Sequence, residues 1–195
     1  MLVLKDKIAY GRTRACYYHP KNPNLCVKVA LKKKYEKLLK KDLENNQRFH
    51  EGIGLYVPTY YKLIQTNKGL GLVSDLIHDK KGLSARLADW VIEKRPVKKE
   101  IIKQFDDFFA RVLKYRLWFY DFNSANFLIR YYNKHYHIFF VDTKSLNRNN
   151  SWSMLKLEYI FPFLAKRRIL RRIYRFYEKY LNQKPKWLKD GKQHF

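Results

Sequence analysis

The most informative feature of this chain is a group of polar residues inside an apolar stretch. The segment "YDFNSANFLI" carries Asp121, Asn123 and Asn126 between apolar neighbours, where polar groups without partners are costly. A second apolar run, "IFFV", leads directly into Asp142. A β hairpin over 127–141 would bring Asn126 and Asp142 together at its two ends. The pattern therefore predicts a strand pair whose open end carries oxygen-bearing side chains.

Side chains of these types at this spacing are suited to phosphoryl transfer. Carboxylate and amide oxygens can hold Mg²⁺, so Asn126 and Asp142 are candidate metal ligands. Asp121 can accept the proton of an attacking hydroxyl group. An aspartate, an asparagine five residues later and a second aspartate after a short hairpin form the arrangement of kinase-type active sites. The alternative is that these residues only cap a turn, which Asn and Asp favour.

The order of elements along the chain favours the catalytic interpretation. β-prone runs, one amphipathic helical pattern and a hairpin signal at "NKG" come first, and helical patterns dominate afterwards. Strands are predicted within 8–30, 59–66 and 69–77, and helices over 32–49, 83–93, 97–115 and 153–181. The sequence thus predicts an α+β fold, with a β-rich part at 1–80 and a mostly helical part at 81–195 that contains the hairpin at 119–145.

The net charge indicates which partners the chain attracts. Lys and Arg total 42 against 17 Asp and Glu, which gives a formal net charge of +25. Such an excess attracts nucleic acid, anionic lipid headgroups, lipopolysaccharide phosphates or nucleotides. A basic nucleic-acid-binding module is one alternative, but it has no RNP, KH or helix-turn-helix signature here and leaves the polar hairpin unexplained. Nucleic acid is therefore less favoured than a nucleotide, and the sequence does not indicate an oligomeric state.

The last predicted helix has an apolar side and a basic side. Its apolar face is predicted to contain Ile169, Ile173, Phe176, Tyr177 and Tyr180, and its basic residues include Arg171, Arg172 and Arg175. One interpretation is a core-packing helix whose solvent side is basic. The other is that the arginines bind a polyanionic acceptor or an anionic membrane surface.

Cysteine usage and the lack of long apolar runs predict a soluble, cytoplasmic protein. The start "MLVLKDKIAY" has no signal-peptide core, and no run approaches the length of a membrane span. Cys16 and Cys26 are expected to be reduced, buried thiols, with a disulfide left open if they lie on paired strands. His135 and His137 have no evident third ligand, so a zinc site is not expected.

The chain resembles the YrbL family, small bacterial proteins associated with the PhoP regulatory network. "GRTRACYYHPKNPNLCVKV" is similar to the family's G-R-x-R-x-C-Y-x-H-P opening and C-[IV]-K strand. "GLGLVSDLI" resembles its segment before the hinge, and "DFNSANFLI" its catalytic-loop segment. The likeness covers residues 8–180. It implies a two-lobed protein-kinase-like fold, with a small β-rich N-lobe, a truncated helical C-lobe, and ATP with Mg²⁺ in the cleft between them.

The resemblance also implies nucleotide-binding residues in the first part of the chain. Lys28 takes the place of the strand lysine that holds the α- and β-phosphates. Gly11 is the one position where backbone would approach the phosphates closely, and Arg12 or Arg14 would add charge there. Asp75 and Ile77, in and after the hinge-proximal strand, are expected to bind the nucleotide.

Lys28 requires an anionic partner, because it lies in a strand that should be internal. The helix predicted over 32–49 should supply that partner. Asp42 falls on the apolar face of this helix, whereas Glu44 falls among its lysines and arginine. Helical spacing therefore favours Asp42 over Glu44 without deciding between them.

Several departures from protein kinases indicate a different acceptor. Gly11 is the one glycine of its loop, and "VDTKS" replaces D-F-G. Phe119 and Tyr120 stand where His-Arg would precede the catalytic aspartate, and Asn123 stands where lysine is common. No A-P-E segment follows Asp142, so the usual platform for a peptide substrate is missing. A Ser/Thr/Tyr protein kinase is therefore not expected.

Two functional hypotheses follow from the resemblance. The first is transfer of the γ-phosphoryl group to a hydroxyl group of a non-protein, lipopolysaccharide-type acceptor, by analogy with the basic lipopolysaccharide-core kinases of the same fold. Such an enzyme would be cytoplasmic and peripheral at the inner membrane face. The second is a regulatory pseudokinase of YrbL type, which keeps the fold without significant transfer.

Overall fold

A five-stranded antiparallel sheet forms the first part of the chain. The structure, a computed structural model, describes residues 1–80, 82–117, 121–142 and 162–185. The strands are β1 (Lys7–Tyr10), β2 (Arg14–Tyr18), β3 (Leu25–Ala30), β4 (Tyr60–Thr66) and β5 (Gly69–Asp75), in the spatial order β1-β2-β3-β5-β4. The turn predicted at "NKG" is confirmed, and Gly69 adopts a φ of 106° that side chains rarely allow.

Alternation along β3 separates an apolar face from the face that carries the site. Val27 and Val29 are buried in a small core on one side of the sheet. Lys28 contacts Tyr60 instead, on the side that helix α1 (Glu36–Ile53) covers. A lysine between two buried valines therefore emerges beside the helix rather than at an exposed edge.

The second part of the chain combines short strands with helices. Its elements are β6 (His78–Asp79), β7 (Gly82–Leu83), β8 (Ala85–Arg86), α2 (Leu87–Ile92), α3 (Lys99–Lys114), β9 (Phe127–Tyr132), β10 (His135–Phe140) and α4 (Pro162–Phe176), which continues as a π-helical turn over Tyr177–Leu181. The predicted hairpin is confirmed, because β9 and β10 pair antiparallel with Phe127 opposite Phe140. Asn133 and Lys134 at its tip both have positive φ, which matches the right-handed twist of the strands.

An aromatic core around α3 fixes the hairpin. Helical spacing along α3 buries Phe105, Phe108 and Phe109. The rings of Phe105 and Phe127 lie 5.1 Å apart, so α3 packs directly on the first residue of β9. Gln104 binds the other strand, donating to the Tyr136 carbonyl (2.6 Å) and accepting from the Ile138 amide (3.1 Å). These contacts set the position of the polar end of the hairpin.

The helical part begins later than the sequence predicts. A helix was expected over 83–93, but Ala85 and Arg86 pair with β9 and α2 starts at Leu87. Pairing with a neighbouring strand outweighs local helical propensity at these residues. Part of the predicted last helix, 153–161, lies outside the described residues. In the part of the chain that the structure describes, no helix is long and apolar enough to cross a membrane.

Candidate functional site

A cleft of about 670 Å³ lies between the five-stranded sheet and the open end of the β9–β10 hairpin. The predicted site residues that line it are Gly11, Arg12, Lys28, Asp75, Ile77, Asn126 and Asp142. Three other predicted residues, Asp42, Asp121 and Asn123, do not line it. The cleft is therefore lined on one side by the candidate nucleotide-binding residues of the first part of the chain and on the other by the two candidate metal ligands of the hairpin.

The hairpin brings Asn126 and Asp142 to one end of the cleft. The Val141 amide donates to the Asn126 carbonyl at 2.9 Å, so the residues flanking this bond are held at the base of the hairpin. The Asn126 side-chain amide donates to the Asp121 carbonyl at 3.2 Å. Its carboxamide oxygen is then the side-chain atom suited to a cation.

The donor set at this end of the cleft suits Mg²⁺. The ion is commonly held by one or two carboxylates together with substrate phosphates. Asn126 and Asp142 supply two oxygen-bearing side chains, and cationic side chains for phosphates line the same cleft. Among the described residues there is no group of three or more His, Cys, Asp or Glu that could hold a metal by itself. Asn126 and Asp142 would fit a magnesium ion whose remaining ligands come from phosphate and water.

The loop before β9 is held by its own backbone. The Asn123 amide donates to the Asp121 carbonyl at 3.0 Å, and the Asn126 amide donates to the Asn123 carbonyl at 2.9 Å. The Asn123 side-chain oxygen accepts from the Ala125 amide at 3.1 Å and caps a single 3₁₀ turn. These bonds to Asp121 use its main chain, and the residue is exposed to solvent. Phe119 and Tyr120 lie outside the described residues.

Lys28 connects the sheet with the hairpin. Its ammonium group donates to the Tyr60 hydroxyl at 2.7 Å and the Val141 carbonyl at 3.4 Å, and it lies 4.4 Å from the centre of the Tyr60 ring. Burial would lower the pKa of Lys28, but Tyr60 and Cys26 favour the charged form and raise it overall. Lys28 is therefore a charged group beside the residue that precedes Asp142.

The ion-pair partner of Asp42 is Arg14 rather than Lys28. Asp42 is fully buried and Glu44 is exposed, as the helical pattern of α1 predicts. The predicted pair with Lys28 is replaced because Tyr60 and Val141 hold that ammonium group. Arg14 on β2 lies one pair further along the same face of the sheet and reaches the carboxylate instead.

Two cleft residues use their polar groups within the fold. The Asp75 carboxylate accepts from the Thr59 amide at 2.8 Å and from the Tyr61 hydroxyl at 2.7 Å, which ties β4 to β5. The Ile77 carbonyl accepts from the Ser84 amide at 3.3 Å. The Asp75 amide also donates to the Thr59 carbonyl at 3.0 Å, so both its side chain and its main chain make contacts within the fold.

Cys16 and Cys26 carry free thiols that both line the cleft. They lie on the paired strands β2 and β3, where Cys16 is opposite Lys28 and Cys26 is opposite Tyr18. A hydrogen bond with Cys26, together with burial, raises the pKa of Cys16. The same hydrogen bond lowers the pKa of Cys26 against the effect of burial, and Lys28 lowers it further.

Comparison with known proteins identifies the family. The family model for "PhoP regulatory network protein YrbL" matches residues 1–181. The chain belongs to the YrbL family. The resemblance recognised in the N-terminal sequence is thereby confirmed. A search of curated proteins gives no match.

Solved structures give the fold of this YrbL-family chain. A mutant form of the PknI kinase domain of Mycobacterium tuberculosis is 11% identical with a TM-score of 0.57, and the match covers 94% of this chain and 77% of that chain. WbdD is 16% identical with a TM-score of 0.50, and the match covers 84% of this chain and 37% of that chain. The chain thus spans just over a third of WbdD. These similarities establish the predicted α+β, kinase-like fold.

Sequence reasoning did not identify Tyr60 as a partner of Lys28 or Arg14 as the partner of Asp42. Tyr60 holds Lys28, but the adjacent Tyr61 gave an equally β-prone signal, and only strand register distinguishes them. Arg14 was noted for its charge and not as the partner of Asp42. Arg14 pairs with Ala30 and Cys16 pairs with Lys28 across the two strands. With this register known, the two-residue spacing along each strand places Arg14 and Lys28 on the same face of the sheet.

Proposed function

We propose that this YrbL-family protein binds Mg-ATP in the cleft and transfers the γ-phosphoryl group to a hydroxyl group of a non-protein acceptor. One observation carries the proposal. Lys28 donates to the Val141 carbonyl while the Val141 amide donates to the Asn126 carbonyl, which groups an ammonium with Asn126 and Asp142 at one end of a cleft.

Each cleft residue has a role in nucleotide binding under this proposal. Lys28 contacts the α- and β-phosphates, and Asn126 with Asp142 holds Mg²⁺, which neutralises phosphate charge. Gly11 and Arg12 cover the phosphates from the β1–β2 loop. The base lies against the segment from Asp75 to Ile77, on the apolar surface that Ile77 and Leu128 supply.

Transfer follows from positioning and charge neutralisation. The hydroxyl oxygen of the acceptor bonds to the γ-phosphorus, the bond to the β–γ bridging oxygen breaks, and ADP leaves. Asp121 orients the hydroxyl group and takes its proton, and the exposed position of this residue leaves room for an acceptor. Asn123 supports the acceptor through its side-chain N–H groups, because its side-chain oxygen already caps the turn.

A phosphate-rich envelope glycolipid of lipopolysaccharide type is the acceptor that the charge supports. The net charge of +25 favours an anionic substrate or surface. Arg171, Arg172 and Arg175 on α4 are exposed. We infer a cytoplasmic protein that associates peripherally with the inner membrane face.

A regulatory pseudokinase is the second candidate. The side-chain oxygen of Asn123 is used as a turn cap, and Asp42 pairs with Arg14 instead of Lys28. Both features depart from the usual catalytic arrangement and are compatible with a nucleotide-binding regulator. The family description, which names the PhoP regulatory network, supports this alternative.

Thermal shift with Mg-ATP tests the nucleotide site. ATP with Mg²⁺ should raise the melting temperature of the wild type, since a ligand that binds only the folded state stabilises it. Asp142→Ala should abolish the Mg²⁺-dependent part of the shift, and Lys28→Ala should weaken ATP binding while the protein stays folded. Glu44→Ala, which removes an exposed carboxylate from α1, is the matched control. Wild-type Mg-ATP affinity in both site variants would refute the nucleotide site.

A further inference from the structure

The Arg14–Asp42 ion pair lies between helix α1 and the cleft. The Asp42 side chain is fully buried, the Arg14 side chain is 17% exposed, and Arg14 lines the cleft whereas Asp42 does not. Asp42 thus holds Arg14 from behind. The pair therefore places a cation in the wall of the cleft and its buried anion outside that wall.

The pair is incomplete in its hydrogen bonds. Arg14 Nη2 and Asp42 Oδ1 are buried and have no hydrogen-bond partner among the residues that the structure describes. A buried ion pair contributes little to stability unless its remaining donors and acceptors are satisfied. A modest rotation of the guanidinium toward the cleft would let a ligand oxygen satisfy the Arg14 donor. The planar guanidinium group suits phosphate oxygens in particular.

Charges around Arg14 place it at the same end of the cleft as the candidate metal site. Burial would lower the pKa of Arg14, but Asp42, Tyr60 and Asp142 act in the opposite direction and raise it. Burial raises the pKa of Asp42, opposed by Arg14 and Lys28, and Asp142 acts on this carboxylate too. The Asp142 carboxylate therefore lies near enough to interact electrostatically with both Arg14 and Asp42. Lys28, opposite Cys16 on the neighbouring strand, shares the face of the sheet with Arg14.

We propose that Arg14, positioned by Asp42, is a second phosphate-binding cation beside Lys28. This inference rests on the proposed nucleotide site and names a residue of it. The sequence predicts a pair between Lys28 and an acidic residue of α1, but in the structure Lys28 and Arg14 each have their own partners. Tyr60 and the Val141 carbonyl hold Lys28, and Asp42 holds Arg14.

The test compares two ligands that differ only in their phosphates. Isothermal titration calorimetry measures Mg-ATP and adenosine binding to the wild type and to the double variant Arg14→Gln/Asp42→Asn, which removes both charges and leaves neither unpaired. Because hydrogen bonds to charged groups are strong, Mg-ATP affinity should fall by roughly tenfold to a hundredfold. Adenosine affinity should stay unchanged. Asp42→Asn alone should give a smaller loss, since Arg14 remains without its anchor.

An ion pair outside the cleft provides the matched control. Arg111 and Asp107 on α3 pair with each other and do not line the cleft, and their side chains are 36% and 44% exposed. Arg111→Gln/Asp107→Asn makes the same change of charge and should leave Mg-ATP affinity at the wild-type value. An equal loss in both double variants would show that the effect is not specific to the Arg14–Asp42 pair and would overturn the inference.

The remaining outcomes separate this inference from the proposed function. Wild-type Mg-ATP affinity in Arg14→Gln/Asp42→Asn would overturn the role of Arg14 and leave the nucleotide site standing. An equal loss of Mg-ATP and adenosine affinity in this variant would show that the pair only supports the fold. That result would also overturn the role of Arg14. No Mg-ATP binding by the wild type would remove the proposed function and the inference together.

Discussion

Cys26 illustrates how a single residue takes its chemistry from its neighbours. It is buried on β3, two residues before Lys28, and its sulfur lies 3.2 Å from the Ser74 hydroxyl oxygen. The hydrogen bond with Cys16 lowers its pKa, against burial, and Lys28 and Ser74 act in the same direction. A buried cysteine would ordinarily be unreactive, but a thiolate is the reactive form. We therefore expect Cys26, in the wall of the cleft, to carry a larger thiolate fraction than an ordinary buried cysteine.

Thiol modification measured against pH tests this. The thiolate fraction increases as pH rises through the pKa, so a lowered pKa moves the inflection to lower pH. Reaction with methyl methanethiosulfonate should stay fast at pH values where an ordinary cysteine is already protonated and reacts slowly. Cys26→Ser should remove this fast reaction, and Cys16→Ala, which removes the hydrogen bond, should leave one reactive thiol with its inflection moved up. An inflection at or above that of free cysteine in the wild type contradicts the prediction.

Among the elements, α4 joins the core with one side and faces solvent with the other. Ile169, Ile173 and Phe176 are buried, as the helical pattern predicts for the apolar face. Arg171, Arg172 and Arg175 are exposed on the remaining surface. Core packing explains the apolar face of α4, and binding of a polyanion by its arginines stays a prediction.

Vesicles containing lipopolysaccharide test the basic surface of α4. Basic residues near an anionic membrane contribute about 1 kcal/mol each, so replacing Arg171, Arg172 and Arg175 with Gln should weaken binding by roughly a hundredfold at low salt. The dependence on salt should also become flatter. The control replaces three exposed lysines near α1 and lowers the net charge equally: Lys33→Gln, Lys34→Gln and Lys37→Gln. An equal effect of both triple variants would assign the binding to net charge alone.

The whole molecule has a kinase-like fold with a cleft where its five-stranded sheet meets the β9–β10 hairpin. Lys28 from the sheet and Val141 from the hairpin are joined by a direct hydrogen bond, so the two halves of the cleft are coupled. The described helical part is small, and the match to the PknI kinase domain covers 77% of that chain. Nucleotide binding and phosphoryl transfer are separate predictions for such a molecule.

Asp121→Asn separates transfer from binding. The neutral side chain keeps the shape and loses the proton acceptor, so transfer should fall on the order of a hundredfold or more. Mg-ATP affinity and melting temperature should be unchanged, because the hydrogen bonds from Asn123 and Asn126 reach the main-chain carbonyl of Asp121. The assay uses [γ-³²P]ATP with cell-envelope, protein and small-metabolite fractions. ATP binding without transfer by the wild type would support the regulatory pseudokinase.

Features that depend on local spacing were predictable from the amino-acid sequence alone. Strand alternation and the run from Phe127 to Val141 predicted the hairpin that brings Asn126 and Asp142 together. Helical periodicity placed Asp42 on the buried face of α1 and Glu44 outside. These features need only the period of a helix or strand and the geometry of a turn, which neighbouring residues specify.

Contacts between side chains of different elements became known with the folded structure. The pairing of Asp42 with Arg14, the choice of Tyr60 over Tyr61 as the partner of Lys28, and the strand at Ala85–Arg86 all depend on strand register and on packing between distant segments. A shift of one residue in register would turn every side chain of a strand to its other face. Where a longer loop joins two strands, as between β2 and β3, the local pattern does not fix the register, and the core that the assembled elements share decides it.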